Sequence, residues 1–177
     1  MRFGEFLRVT VLLSAAAATL LATQTVLQIS RDPDPLVTYV AAGWWLGSVV
    51  CGLWLGRRAE ASPPIARLLA GAKFQTMLPE LRPGATLLNR LWPLLASTLL
   101  AVLAGFVLPQ VAAVGAGFAI IWSLAWRRQH GAVAAIEQRD AVRFYVDRTS
   151  PLQSIRLLRT PGFGGTFLSI DGDRDDR

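Results

Sequence analysis

The chain has one cysteine, Cys51, one histidine, His130, and one lysine, Lys73. A lone cysteine excludes an internal disulfide and any cysteine-rich metal site. A lone histidine excludes zinc clusters built on several imidazoles and paired-histidine catalysis. Charge is scarce as well. Charged residues make up 17% of the sequence, against about a quarter in an ordinary soluble domain. No Asp, Glu, Lys or His falls in the middle of a long apolar run, and proton-coupled transport and ion conduction through a bilayer ordinarily need such groups. No Walker-type loop occurs, and the Gly-x-Gly-Gly of "PGFGGTF" lacks the strand–loop–helix setting of a phosphate site. The terminal "DGDRDDR" lacks the glycine and glutamate positions of a calcium loop, so 163–177 reads as a solvated, disordered terminus. These gaps leave no candidate catalytic, cofactor-binding or metal-ligating residue, and a non-enzyme is expected.

What is present is apolar. Hydrophobic residues reach 53% and the mean hydropathy is +0.41, concentrated in four blocks at about 9–29, 36–56, 91–108 and 109–126. Blocks of about 18–21 residues are long enough to cross a bilayer as helices, where a helix satisfies its own backbone hydrogen bonds. The expected fold is an all-α membrane protein: a four-transmembrane-helix bundle over 1–130 with a short extended, hairpin-like cytoplasmic tail. Pro109 suits the first turn of a helix, so "LPQ" predicts a tight reversal between the third and fourth spans.

Charge placement sets the expected orientation. Arg2 and Arg8 flank the first span, and Arg127 and Arg128 follow the last. The loop 57–90 carries Arg57, Arg58, Arg67, Lys73, Arg82 and Arg90 against Glu60 and Glu80, whereas "SRDPDP" on the other side is slightly acidic. The positive-inside rule then places both termini and the middle loop in the cytoplasm, in an inner membrane. A cleaved signal peptide over 1 to about 23 is the alternative, but the apolar run continues past such a core.

Within the spans, residues four apart share a helix face. The second span has two such ladders of small residues, Gly43–Gly47–Cys51 and Ser48–Gly52–Gly56. The third has Ser97, Ala101 and Gly105, and the first has Ser14, Ala18 and Ala22. Small residues let backbones approach closely, so Gly43, Gly47, Ser48, Gly52, Gly56, Ser97, Ala101 and Gly105 are candidate packing or partner-interface positions. The two ladders of span two lie about 140° apart, so one can face the bundle and the other a second subunit. Gln24 and Gln28 are expected to bind another helix, with a substrate path as the alternative. Trp44 and Trp45 are expected to fill space, and Trp54 and Trp126 to sit at the interface. Cys51, inside a span, is expected to be inert.

The middle loop predicts a surface helix over 63–78, capped by Ser62 and started by two prolines. Its apolar face, with Ile65, Leu68, Leu69 and Ala72, is expected on the inner membrane surface or in a partner's groove. His130 is expected in a last helical turn before Gly131.

After Gly131 the periodicity approaches two: Val142, Phe144 and Val146 alternate with Arg143, Tyr145 and Asp147. The docking tail therefore spans 131–162, with "GAVAAIEQ" as a hairpin partner or, alternatively, a continuing helix, and "SIRLLRTPG" as a second extended run. Too small to bury a core alone, the tail needs a surface: the bundle's inner face, the membrane or a partner subunit. The candidate docking residues are Arg143, Phe144, Tyr145, Arg148, Ile155, Arg156, Leu157, Leu158 and Arg159. Asp140 and Asp147 weaken the field, which speaks against nucleic acid. The stretch "FYVDRTSP" followed by "IRLLRTPG", after four spans, resembles small membrane proteins of actinobacteria. It is similar to the four-span accessory subunits that accompany mammalian-cell-entry (Mce) type lipid importers. That resemblance implies a non-catalytic accessory subunit whose partners are membrane lipids and other integral membrane subunits, a permease with a separate ATPase. A small homo-oligomeric transporter or channel is the alternative.

Overall fold

The computed structural model describes residues 1–57, 61–74, 83–146 and 155–161. In chain order the elements are α1 (Phe3–Arg31), α2 (Pro35–Leu55), α3 (Pro63–Ala70), β1 (Lys73–Phe74), α4 (Pro83–Gly105), α5 (Pro109–Trp126), α6 (Gln129–Arg139), β2 (Val142–Val146) and β3 (Leu157–Pro161). Four of the helices, α1, α2, α4 and α5, are long and apolar enough to cross a membrane. The protein is a multi-pass, all-α membrane protein with a small sheet. Helix starts follow local chemistry. Asp34 caps α2, its Oδ1 accepting from the Leu36 and Val37 N–H groups, with Pro35 at the first position. Pro109 opens α5 straight after the Phe106–Leu108 link, the expected reversal. Two spans are longer than the apolar blocks: α1 starts at Phe3 rather than about 9, and α4 at Pro83 rather than about 91.

The bundle is organised around α5, which packs along α1 and α2 and more lightly on α4. Ala112, Ala113, Ala116 and Gly117 of α5 are buried, and Leu21 of α1 meets Ala112 and Ala116. The outer faces of α2 and α4 are exposed and apolar, with Leu46, Val50, Leu99, Leu100 and Leu103 among them. Those faces suit acyl chains.

At one end, called the basic end here for Arg2, Arg57, Arg127 and Arg128, a second core forms. Phe3, Phe6 and Leu7 of α1 pack with Ile65 and Leu69 of α3, Val133 of α6, Val142, Phe144 and Val146 of β2 and Leu157 of β3. A three-stranded sheet, ordered β1-β3-β2, closes it. β2 and β3 run antiparallel, with Tyr145 opposite Leu158, and β1 runs parallel to β3. The amino-terminal residues extend the sheet: Arg2 bridges Tyr145, and the Met1 carbonyl accepts from the Val146 N–H at 3.1 Å. Three separate segments therefore meet there.

Several expectations change at this end. Residues 129–139 are helical, the alternative to a hairpin partner for β2; β3 is that partner. The run "QHGAVAAIEQR" is rich in Ala, Gln and Glu, strong helix formers that outweigh one glycine. His130 lies in the first turn of α6 and Gly131 inside it, so neither ends a helix. The surface helix stops at Ala70, short of 78, because Gly71 ends it and the chain turns into β1; 75–78 lie outside the described residues. Its apolar face does not rest on lipid. Ile65 and Leu69 are buried in the protein's own core, leaving Ala66, Arg67 and Ala70 outward. Ser62 holds the cap position without a side-chain cap; its N–H donates to the buried Gln129 Oε1 at 2.9 Å. The expected terminus 163–177 lies outside the described residues.

Ala141 links α6 to β2 with φ 48°, the left-handed region, where a Cβ crowds the carbonyl by about 1–2 kcal/mol. Ala141→Gly removes that crowding at a smaller cost in chain entropy, so it is expected to stabilise the protein by about 0.5–1 kcal/mol, read as a raised melting temperature in detergent. Ile65→Ala opens a cavity between α3 and the sheet and is expected to destabilise by about 2–5 kcal/mol in the same assay.

Candidate functional site

The two small-residue ladders of α2 point to different surroundings. Ser48 and Gly52 are buried, and a methyl group at Gly52 would lie 2.8 Å from Leu124 Cβ and 3.2 Å from Ile121 Cα. A methyl group at Gly56 would collide with the Leu124 carbonyl oxygen. This ladder is the seam between α2 and α5, set by backbone approach. The other ladder is open. Among the described residues nothing lies within 4 Å of a methyl group placed at Gly43 or Gly47, and Cys51 is exposed beside them. With Leu46, Val50 and Trp54 they line a shallow apolar groove along the outside of the bundle.

Tryptophans tighten the α2–α5 seam. Trp45 Nε1 donates to the Ala113 carbonyl at 2.9 Å and Trp44 Nε1 to the Val114 carbonyl at 3.2 Å. Trp44 lies flat enough on α5 that any side chain at Gly117 would overlap it, and its ring meets Phe118 edge-on at 5.4 Å. They fill space, as expected, and they also carry hydrogen bonds between helices. At the basic end the Arg57 guanidinium lies 5.4 Å over the exposed Trp54 ring, a cation–π contact at the expected interface position.

The third-span ladder is only partly engaged. Gly105 is buried, and a methyl group there would lie 2.9 Å from both Ala112 Cβ and Gln24 Nε2. Ala101 is half-buried and Ser97 is exposed, its hydroxyl donating to its own helix at Leu94. Gln24 and Gln28 act on the end of α4. Gln24 Nε2 donates to the Val102 carbonyl at 2.8 Å, and Gln28 Nε2 donates to the Gly105 carbonyl. The two carbonyls between accept from the chain that follows: Leu103 from the Phe106 N–H, and Ala104 from Val107 and Leu108. All four orphan carbonyls of the last turn are thereby partnered, two of them from α1.

The tail residues divide by chemistry. Phe144, Tyr145 and Leu157 are buried at 3%, 4% and 3% exposure, and Ile155 packs against the same core. Their surface is the protein's own basic end, one of the three considered. Arg143 and Arg156 are exposed, Leu158 and Arg159 are half-buried, and Arg148 lies outside the described residues. Glu137 Oε1 accepts the Phe144 N–H at 2.9 Å and ties β2 to α6. Next to it, the Arg139 hydrogen bond holds the Asp140 carboxyl below its ordinary range.

The hub itself went unmarked in the sequence reading. "VAAVGAGFA" in α5 is denser in small residues than either marked ladder, and it is where three helices converge. The signal was local composition. Ala112–Ala116 and Ala113–Gly117 are also four-residue pairs on one broad face, a signal of the same kind as the ladders of α2.

The two faces of α2 should respond oppositely to the same change. Gly56→Ala is expected to destabilise by about 1–3 kcal/mol through overpacking against Leu124, whereas Gly43→Ala is expected to leave stability unchanged or raise it by up to about 1 kcal/mol through helix propensity. Thermal unfolding of the two variants in one detergent compares them directly. No protein-family model, no curated protein and no solved structure matches the chain.

Proposed function

We propose that the protein is a non-catalytic accessory subunit of a multi-subunit inner-membrane complex, held to its partners through the open face of α2. The observation that carries this is the split between its ladders. Ser48–Gly52–Gly56 is filled by α5, while among the described residues no helix lies on the equally smooth Gly43–Gly47–Cys51 face. Glycines in a lipid-facing helix weaken it relative to alanine, and a helix packed closely against them would supply a reason for their presence.

In the proposed orientation the basic end is cytoplasmic. The amino terminus, the middle loop and the tail share one sheet, which supports an even number of crossings, and the arginines on that side support cytoplasmic placement. The outward Arg143 and Arg156 would meet acidic partner residues or lipid phosphates. The Mce-type resemblance makes a lipid importer's permease the proposed partner, with the ATPase on another chain. Gln24, Gln28 and Ser97, the polar groups of a transport path in the rival reading, already donate to α4 carbonyls. That engagement favours structural glue over a conduit.

Gly47→Leu tests this reading, because the position has room for the new side chain and the fold should hold. Gentle extraction from native membranes, followed by mass spectrometry of co-purifying chains, is expected to recover larger integral subunits at fixed ratio with the unsubstituted protein. With Gly47→Leu those subunits should be lost while melting is unchanged. A homo-oligomer alone, in both preparations, would refute the proposal.

A further inference from the structure

The ends of α2 and α5 lie side by side at the basic end, close enough that a methyl group at Gly56 would collide with the Leu124 carbonyl oxygen. That closeness brings together the residues that follow the two spans. Arg128 stands at the start of α6, its carbonyl accepting the Ala132 N–H at 3.1 Å, and its side chain reaches back across the seam. There Nη1 donates to the Arg57 carbonyl at 3.1 Å, which covers the negative end of α2. The Arg57 guanidinium in turn lies 5.4 Å over the Trp54 ring. Both arginines are exposed, and each is held by a contact that leaves most of its N–H donors unspent. Among the described residues neither has a carboxylate within 4 Å. Trp54 is 60% exposed, and Leu53 and Leu55 beside it are exposed as well. Two positioned guanidiniums without counter-ions therefore stand where an apolar helix face gives way to the basic end. An anion with an apolar body matches that pairing.

We propose that Arg57 and Arg128 form a binding site for one anionic phospholipid, in the leaflet at the basic end. Its phosphate accepts from both guanidiniums, and its acyl chains lie against exposed apolar residues of α2, Leu53 and Leu55 among them. A zwitterionic lipid carries its own cation beside the phosphate, so it gains less from the two arginines. The site lies within one chain and does not rest on the subunit reading.

The test offers the purified protein an equimolar mixture of phosphatidylglycerol and phosphatidylcholine with identical acyl chains, and reads retained lipid by native mass spectrometry. Each arginine near a membrane surface contributes about a fivefold preference for anionic lipid, so a preference of about twentyfold is expected. Arg57→Gln and Arg128→Gln are each expected to lower it about fivefold, and the double variant to bring it near parity, with helical circular dichroism unchanged. Arg139→Gln removes the same charge at the exposed pair with Asp140 and is expected to leave the preference as it is. Excess glycerol phosphate, the same anion without acyl chains, is expected not to displace the lipid. Equal retention of the two lipids, a preference that survives the double variant, an equal fall with Arg139→Gln, or displacement by glycerol phosphate would overturn the proposal.

Discussion

Lipid offers no hydrogen bonds, and this structure is arranged around that fact. A helix pairs its own backbone except in its first and last turns, so the ends decide what must be added. At the end of α4 two carbonyls are taken by the turning chain and two by glutamines reaching from α1. At the opening of α2 a carboxylate and a proline share the task. Several hydroxyls within the spans bind back to their own helix, as Ser14 does to Thr10 and Thr25 to Leu21. The glutamines of α1 and the Asp34 carboxylate sit where the backbone runs out of partners.

Once the ends are satisfied, packing in lipid rests on closeness, because burial from lipid brings no hydrophobic gain. That explains why α5, with a broad buried face of alanine and glycine, is the hub, and why indole nitrogens of α2 reach its carbonyls. At the basic end the logic reverses. There the apolar residues of α1, α3, α6 and the sheet build a core like that of a soluble domain, where exclusion of water supplies the drive. One chain thus uses two packing regimes, separated by the level at which α1 leaves the lipid.

Much of this was legible in the sequence. Span number and positions follow from length and hydropathy, since each helix is closed in its hydrogen bonding. The two strands of the tail also follow, from the period-two pattern at Val142–Val146 and the extended run ending at Pro161. Pairings across long separation were not legible. Nothing near Lys73 announces that it will align with Leu158, or near Arg2 that it will bridge Tyr145. For the same reason the apolar face of α3 looked like a lipid-facing surface: its partners, Phe144 and Leu157 among them, lie far along the chain. The helix over 129–139 stood as the alternative to a hairpin partner, because one glycine and a nearby strand pattern competed with its helix propensity. The two faces of α2 were separable by helical geometry alone, but which face met α5 needed the fold.

The order of strands in the sheet carries a consequence for biogenesis. β3 lies between β1 and β2, yet it is the last of the three to be synthesised. While the ribosome is still extending the chain, β1 has no neighbour, and Phe3, Phe6 and Ile65 wait without their lid. All four spans precede β3 in the chain, so the soluble-like core closes only after they have been synthesised. Cells would therefore meet an intermediate whose spans are complete yet whose one end is sticky, a natural substrate for chaperones or quality-control proteases.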